Sequence, residues 1–233
     1  MRKANEFFEK THHGLIVSCQ ALPEEPLHSS YIMSRMAYAA KLGGACGLRA
    51  NSVEDITEIR KTVSLPMIGI IKKVYGDCPV YITPTMEEVD ALVKTGVEVI
   101  AIDATSRKRP DGRTISEFFP EVRKKYPEQL FMADCATLED GRNAEKLGFD
   151  IVGTTLTGYT SETENICPPD FDLIHSLCGA LHVPLIVEGG IWAPETLHDI
   201  LQIEGVHACV IGSAITRPME ITRHYVAAIE QED

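Results

Sequence analysis

Polar and charged side chains end a series of short apolar runs in this chain of 233 residues. Each run is rich in β-branched residues, which is typical of a buried strand. In chain order the residues at or near the ends of the runs are Gln20, Arg49, Lys72, Asp103, Asp134, Thr157, Glu188 and Gly212, and seven of these eight are polar or charged. If the runs are parallel strands, their carboxyl ends meet at one edge, where an amine and carboxylates can perform acid–base chemistry.

The pleat of a strand predicts that these terminal side chains share a direction. Side chains alternate between faces, so Ile70 has the same direction as Lys72, and Ile186 the same as Glu188. The sequence therefore predicts a ring of functional groups above a layer of aliphatic side chains. For each residue alone, a solvated rim charge or a structural ion pair is the alternative. An acid, a base and a cation at one rim together favour a catalytic site.

Small residues follow the last two runs. Gly189 and Gly190 follow the seventh run, Gly212 and Ser213 the eighth, and Arg217 lies four residues beyond Ser213. Glycine allows backbone N–H groups to approach a phosphate closely, and arginine offers a fork-shaped set of donors. The glycine pair alone would also fit a tight turn, but the whole set predicts a phosphate site.

The apolar runs alternate with stretches of helical periodicity, eight of each kind. The predicted strands span residues 14–20, 45–49, 66–72, 99–105, 130–137, 151–157, 184–189 and 208–212. The predicted helices span residues 29–42, 52–63, 85–94, 115–126, 138–147, 170–181, 193–203 and 219–229, and the second opens with a cap at Ser52.

Runs that are apolar on both faces indicate a parallel sheet covered by helices, which is an α/β fold. Eight such units predict a single-domain (β/α)8 TIM barrel over residues 1–233, preceded by a short N-terminal helix over residues 2–12. A doubly wound open sheet is the structural alternative. It usually shows a GxGxxG turn after the first strand, and none occurs here.

Composition excludes several classes of partner. The chain has 22 basic and 34 acidic residues, a net charge of −12, so nucleic-acid and anionic-membrane binding are not expected. An anionic ligand must be held by a local cationic pocket. Arg107, Lys108 and Arg109 follow the fourth strand, where we expect them to be solvated or to face the rim. No apolar run approaches the roughly 18 residues that cross a bilayer.

The cysteines indicate the cellular compartment of the protein, and the histidines indicate whether it has a metal site. Seven scattered cysteines, none in a CxxC motif, predict free thiols and a cytoplasmic protein. No predicted strand ends in histidine, and neither HxH nor HxxxH occurs, so no metal site is predicted.

The chain resembles the bacterial N-acetylmannosamine-6-phosphate 2-epimerase family of sialic-acid and amino-sugar catabolism. The resemblance runs from residue 14 to the last predicted helix. Its segments, in order, are GLIVSCQALPEEPLH, GLRANSVEDI, IIK followed by YITPT, AIDAT, MADCAT, GTTLTGYT, VEGGI and VIGSAITRP. It implies inversion at C2 of N-acetyl-D-mannosamine 6-phosphate to give N-acetyl-D-glucosamine 6-phosphate, with no cofactor.

The resemblance also implies roles for the strand-end residues. Lys72 would be the acid/base at C2, with Glu188 as its catalytic partner. Asp134 would orient or charge-balance Lys72, and Gln20 and Arg49 would contact the sugar and its N-acetyl group. The glycine, serine and arginine set described above would hold the 6-phosphate.

Two proton-transfer routes are open. The C2 hydrogen is acidic only when C1 is an open-chain aldehyde, so the site must handle ring opening and stabilise an enediolate-like anion. Either Lys72 and Glu188 serve opposite faces of C2, or Lys72 performs both transfers while the intermediate turns about C1–C2 and Glu188 acts at the oxygens. Burial and a nearby cation would lower the pKa of Lys72, whereas Asp134 would raise it.

Rival functions fit part of the pattern. A lyase or isomerase could use Lys72 as a Schiff-base nucleophile toward a phosphorylated keto-sugar. A non-catalytic phosphosugar-binding protein would need the phosphate set but not a facing Lys–Glu pair. A metal-dependent pentose-phosphate epimerase would need histidine ligands at strand ends. Barrels of this kind commonly associate through outer helices, so a homodimer is the expected assembly.

Overall fold

The computed structural model describes residues 2–230, with side-chain surroundings for residues 6–229. Its strands are β1 (Gly14–Cys19), β2 (Gly47–Asn51), β3 (Met67–Ile70), β4 (Val99–Asp103), β5 (Leu130–Asp134), β6 (Ile151–Gly153), β7 (Leu185–Glu188) and β8 (Val206–Ile211). They pair in parallel in chain order, and β8 pairs with β1, so the sheet closes into a barrel. The predicted (β/α)8 barrel is confirmed, and the open-sheet alternative is wrong.

Helices surround the strands. They are α1 (Arg2–Thr11), α2 (Ser30–Leu42), α3 (Val53–Arg60), α4 (Met86–Thr95), α5 (Ile115–Lys125), α6 (Leu138–Leu147), α7 (Phe171–Ala180), α8 (Pro194–Leu201), α9 (Ser213–Thr216) and α10 (Pro218–Glu230). No helix within residues 2–230 is long and apolar enough to cross a bilayer. Residues 1 and 231–233 of the predicted domain lie outside the described residues, and the predicted domain bounds stay a prediction.

Alternate strand residues fill the barrel interior. Ile70 of β3, Met132 of β5 and Ile186 of β7 belong to one buried cluster, together with Phe7 of α1. The other faces of the strands pack against the helices in a second cluster. This arrangement confirms the predicted aliphatic layer beneath the strand ends, and Phe7 brings α1 into contact with the interior cluster.

Local signals set where the helices begin and end. Ser52 caps α3, as predicted, because its side chain accepts a hydrogen bond from the Asp55 N–H at 3.1 Å. Thr137 caps α6 in a capping box with Asp140. Gly148 ends that helix with φ of +88°, a conformation that favours glycine.

Several predicted element ends differ from the structure. Strand β2 continues two residues beyond Arg49, since Asn51 pairs with Ile70 of β3. Strand β6 ends at Gly153, not at Thr157, because the Thr157 N–H donates to the Thr154 carbonyl in a turn. The predicted last helix is preceded by the short helix α9, which the sequence analysis missed.

Candidate active site

A cavity of about 170 Å³ opens at the carboxyl ends of the strands, and a second of about 120 Å³ adjoins it. Gln20, Lys72, Glu188 and Arg217 line both. Strands β3 and β7 are opposite each other in the closed ring, so Lys72 and Glu188 approach the opening from opposite sides. The structure therefore brings these four predicted residues together around one opening.

Lys72 is held through its backbone. Its N–H donates to Asn51 Oδ1 at 2.8 Å, and the residue pairs with Ile82 in an isolated antiparallel bridge. The Thr83 N–H donates to the Ile71 carbonyl at 2.8 Å, so the loop after β3 folds back on both sides of Lys72. Lys72 Nζ forms no hydrogen bond or ion pair with any residue from 6 to 229. Its amine is free to meet a ligand.

Arg49 and Asp134 form a buried bidentate ion pair inside the barrel. Arg49 Nη1 donates to Asp134 Oδ1 at 3.1 Å and Nη2 to Oδ2 at 2.6 Å. The two side chains are 1% and 0% exposed. Asp134 thus forms its ion pair with Arg49, whereas the resemblance implied that Asp134 orients or charge-balances Lys72. Arg49 also borders the larger cavity, although carboxylates engage both of its terminal nitrogens.

Glu188 is held through one of its two carboxylate oxygens. Oε2 lies 3.1 Å from Arg49 Nη1 and 3.1 Å from Thr155 Oγ1. The same Thr155 oxygen lies 2.8 Å from Asp134 Oδ1. Oε1 has no hydrogen-bond partner within the part of the chain whose side chains are described, and Glu188 is 16% exposed. The second oxygen is therefore available to a ligand in the cavity.

The electrostatic environment brings the proton affinities of the amine and the carboxyl closer together. Burial, followed by the positive charge of Arg49, lowers the pKa of Lys72. Burial raises the pKa of Glu188, and nearby Asp134 adds to that rise against the opposing effect of Arg49. An amine whose pKa is lowered and a carboxyl whose pKa is raised are better matched for proton transfer to and from one carbon than the same groups in water.

Gln20 offers an unsatisfied acceptor at the same opening. Its Nε2 donates to Ser18 Oγ at 2.8 Å. Its Oε1 is buried and has no hydrogen-bond partner among residues 6–229. Because an unpaired buried oxygen is costly, this carbonyl is a strong candidate to accept an N–H or O–H from a ligand.

Arg217 lies where a phosphate was predicted. Its Nε donates to Glu25 Oε2 at 2.9 Å, and its Nη1 to Ser213 Oγ at 3.5 Å. Gly189 lines the larger cavity and Gly212 the smaller. Within residues 2–230, the backbone N–H groups of Gly212 and Ser213 donate to no other group. Gly212 and Arg217 thus share the smaller cavity with Lys72, whereas Ser213 is not among the residues that line either cavity.

Gly190 has a packing reason to be glycine. Its φ is +67°, and a Cβ added there would lie 1.9 Å from the carbonyl oxygen of Pro168. The residue is not among those that line either cavity. For Gly190 the structure therefore gives the tight-turn explanation that the sequence left open.

Arg109, which follows β4, is buried and does not face the predicted rim. Arg109, expected to be solvated or rim-facing, is 3% exposed; it donates to the Pro84 carbonyl at 2.8 Å and packs over Phe118. Asp103 pairs with Arg107 at 2.7 Å. The expectation of a solvated or rim-facing side chain is wrong for Arg109, because its guanidinium donates to the carbonyl groups of Thr83 and Pro84, in the loop before α4, and of Asp103.

Several residues that line the cavities escaped the sequence analysis, among them Thr155, Tyr81 and Glu25. Tyr81 and Thr155 line the larger cavity, and Glu25 lines the smaller. They lie in GTTLTGYT, YITPT and the segment that ends in PEEPLH, which carried the resemblance. None occupies a predicted strand end, so position along a strand could not single them out.

A wider groove of about 700 Å³ lies on the outer surface between α7 and α8, with His175, Cys178 and Asp199 on its walls. It is remote from the strand ends that carry the acid–base groups. Among residues 6–229, no group of three or more His, Cys, Asp or Glu side chains is arranged to hold a metal ion.

Comparison with known proteins bears directly on this site. The family described as "Putative N-acetylmannosamine-6-phosphate epimerase" matches residues 33–231. The chain belongs to this family. A relative from Caldanaerobacter subterraneus, named "Putative N-acetylmannosamine-6-phosphate 2-epimerase", is 51% identical over 97% of this chain and 95% of its own length. A relative of the same name from Borreliella burgdorferi is 54% identical over 95% of this chain and 97% of its own length.

A solved member of the family has the same architecture. The N-acetylmannosamine-6-phosphate 2-epimerase from Clostridium perfringens aligns with a TM-score of 0.87 and 48% identity, over 95% of each chain. A thiamine phosphate pyrophosphorylase from Pyrococcus furiosus aligns with a TM-score of 0.60 at 13% identity. The second likeness shows only that the barrel is shared with enzymes of other activities.

Proposed function

We propose that the protein is an isomerase that inverts C2 of N-acetyl-D-mannosamine 6-phosphate to give N-acetyl-D-glucosamine 6-phosphate, in the catabolism of sialic acid and amino sugars. Membership of the epimerase family supports this activity. The observation that carries it is the cavity with the Lys72 amine, unpaired within the described side chains, on one side and the Glu188 carboxyl on the other. Such a pair fits removal and return of a proton at one carbon.

In the proposed mechanism, Lys72 begins as a free amine and Glu188 as a carboxylic acid. Lys72 Nζ takes the C2 proton of the open-chain aldehyde, and the electron pair of the C2–H bond moves toward C1 and leaves negative charge on O1. Glu188 then delivers a proton to the opposite face of C2, and the electron pair returns to form the C1 carbonyl. Lys72 ends as an ammonium and Glu188 as a carboxylate, and solvent resets the pair.

Arg49 contributes to this scheme through its charge. It favours the neutral amine of Lys72, and its Nη1, 3.1 Å from Glu188 Oε2, stabilises the carboxylate that forms. Asp134 compensates the buried guanidinium and keeps it in place. We therefore propose an electrostatic role for Arg49 in addition to the sugar contact that the resemblance implied.

The remaining residues bind the ends of the substrate. The unpaired Gln20 carbonyl accepts the acetamido N–H, which fixes the N-acetyl group beside C2. Arg217, with the free amides of Gly212 and Ser213, holds the 6-phosphate, and Gly189 and Gly190 form the turn beside them. Because α9 has only four residues, the phosphate is held by hydrogen bonds and by the charge of Arg217 rather than by a helix dipole.

The experiment that tests the activity is direct. The purified protein is incubated with N-acetyl-D-mannosamine 6-phosphate, with a chelator present and no nicotinamide added, and the anomeric protons are followed by NMR. We expect the 2-epimer to accumulate to a fixed equilibrium ratio from either starting sugar phosphate. An unchanged spectrum at high enzyme concentration would overturn the proposal.

A further inference from the structure

The hydroxyl of Thr155 stands between two carboxylates. Its Oγ1 lies 2.8 Å from Asp134 Oδ1 and 3.1 Å from Glu188 Oε2, both within hydrogen-bond distance. A hydroxyl has one proton, so it can donate to only one of the two at a time. The geometry allows either choice through rotation about the Cβ–Oγ bond.

The charges around Glu188 indicate when the Thr155 hydroxyl donates to Asp134 and when it donates to Glu188. The charged groups that face it are Arg49 from β2, Lys72 after β3, Asp134 from β5 and, across the cavity, Arg217. Asp134 accepts two hydrogen bonds from Arg49 and stays satisfied without the hydroxyl.

Among residues 6–229, the hydrogen-bond and ion-pair partners of Glu188 Oε2 are Arg49 Nη1 and Thr155 Oγ1. A newly formed carboxylate at Glu188 therefore gains most from the hydroxyl proton.

We propose that Thr155 is a positioning residue whose hydroxyl follows the charge of Glu188: it donates to Asp134 while Glu188 is protonated and to Glu188 Oε2 once Glu188 is ionised. Thr155 neither gains nor loses a proton in this exchange. Both contacts to Glu188 are to Oε2, so Oε1 remains the oxygen that exchanges a proton with the substrate. This inference rests on the proposed epimerisation for its catalytic consequence, but the movement of the hydroxyl does not depend on it.

The test compares Thr155→Val, which removes the hydroxyl at constant shape, with Thr155→Ser, which keeps it. Thr157→Val is the matched control: Thr157 lies in the same loop as Thr155, but its hydroxyl donates to the Ala136 carbonyl after β5 and bonds neither carboxylate. The protein is labelled with ¹³C at the glutamate side-chain carboxyl, and the Glu188 signal is assigned by its loss in Glu188→Gln. Titration of that signal reports the ionisation of Glu188 with no substrate present.

We expect Thr155→Val to raise the titration midpoint of Glu188 by about one pH unit, since a hydrogen bond to the charged form is lost. The same variant should lower kcat by about tenfold with KM within about twofold of wild type. Thr155→Ser should restore both values, and Thr157→Val should leave both unchanged. Thr155→Ala replaces the valine variant if that protein does not fold.

A midpoint that stays in place or moves down in Thr155→Val would overturn the inference, as would a serine variant that behaves like valine. These outcomes are separable from failure of the proposed function. If the wild-type protein does not epimerise the sugar phosphate, the proposed activity is wrong, while the titration still tests the hydroxyl.

Discussion

At the scale of single residues, the site depends on the Lys72 amine, which has no hydrogen-bond or ion-pair partner among residues 6–229. Lysine in a folded protein is normally protonated and solvated, but burial and the charge of Arg49 lower the pKa of Lys72. Glu188 does not neutralise it through an ion pair, because Arg49 holds the carboxylate at Oε2. The buried guanidinium thus keeps the acid and the base apart and ready for a substrate between them.

Replacing Lys72 by alanine tests the assignment of the base. We expect kcat to fall by about 10²- to 10⁴-fold, which is the usual contribution of a positioned acid–base group. Binding of the product phosphosugar, measured by calorimetry, should change by less than about fivefold because Arg217 and the loop amides remain. A variant that turns over near the wild-type rate would show that another group is the base.

Replacing Arg49 by methionine should destabilise the protein by about 3–5 kcal/mol, because Asp134 is then a buried carboxylate without its cation. Urea unfolding measures the change. The double variant Arg49→Met with Asp134→Leu should recover much of this loss, although it should remain inactive. Equal stability of the single and double variants would contradict the account of the buried pair.

At the scale of elements, strand ends decide which side chain reaches the opening. Two residues along a strand return to the same face but move the side chain by about 6.6 Å. Arg49 was predicted at the end of its strand, yet β2 continues to Asn51, so the guanidinium lies within the barrel and pairs with Asp134. Likewise β6 ends four residues before Thr157, and Thr155 rather than Thr157 lines the larger cavity.

The turn after β7 gives a prediction at this scale. Gly190→Ala requires an alanine at φ of +67° with its Cβ against the Pro168 carbonyl, so the turn must shift. We expect a loss of about 2–4 kcal/mol in the free energy of unfolding.

Gly189→Ala is the matched control, since its Cβ would meet no atom closer than 3.5 Å, although its φ is also positive. It should cost about 1–2 kcal/mol. A larger loss for Gly189→Ala than for Gly190→Ala would contradict this explanation.

At the scale of the whole molecule, the sequence contains the barrel but only part of the site. Eight alternating apolar runs, covered on both faces, determine the closed ring and its strand order. The ring then brings Gln20, Lys72, Glu188 and Arg217 together. The partners of these residues were not predictable, because which carboxylate meets Arg49 depends on strand ends and side-chain direction across the barrel. The expected homodimer and cytoplasmic location stay predictions.

The amino-terminal end of the barrel gives a pH dependence of stability. His207 of β8 lies 2.9 Å from Thr11 Oγ1 of α1, and burial, with the nearby His12 and His13, lowers the pKa of His207 to about 4. The unfolded chain takes up this proton near pH 6.5, so protonation favours unfolding below that pH. The stability that the protein gains by keeping His207 neutral is therefore fully present above about pH 6.5 and is lost as the pH falls toward 4.

We expect the wild-type protein to lose about 2 kcal/mol between pH 7.5 and pH 5 through this group. Urea unfolding of wild type and of His207→Gln at the two pH values isolates the effect. Between pH 7.5 and pH 5, the free energy of unfolding of the variant should fall by about 2 kcal/mol less than that of wild type. His198→Gln, on the exposed face of α8, should match wild type. Equal pH dependence in wild type and His207→Gln would show that this histidine does not titrate on unfolding.

The central claim is that Lys72 and Glu188 move the C2 proton across the cavity. The most direct test is epimerisation in deuterated water, followed by NMR at C2 of the product. The account predicts that the product carries solvent deuterium at C2, and that Lys72→Ala and Glu188→Gln each lower kcat by about 10²-fold or more. Product that keeps its original hydrogen at C2, at wild-type rates, would contradict the account.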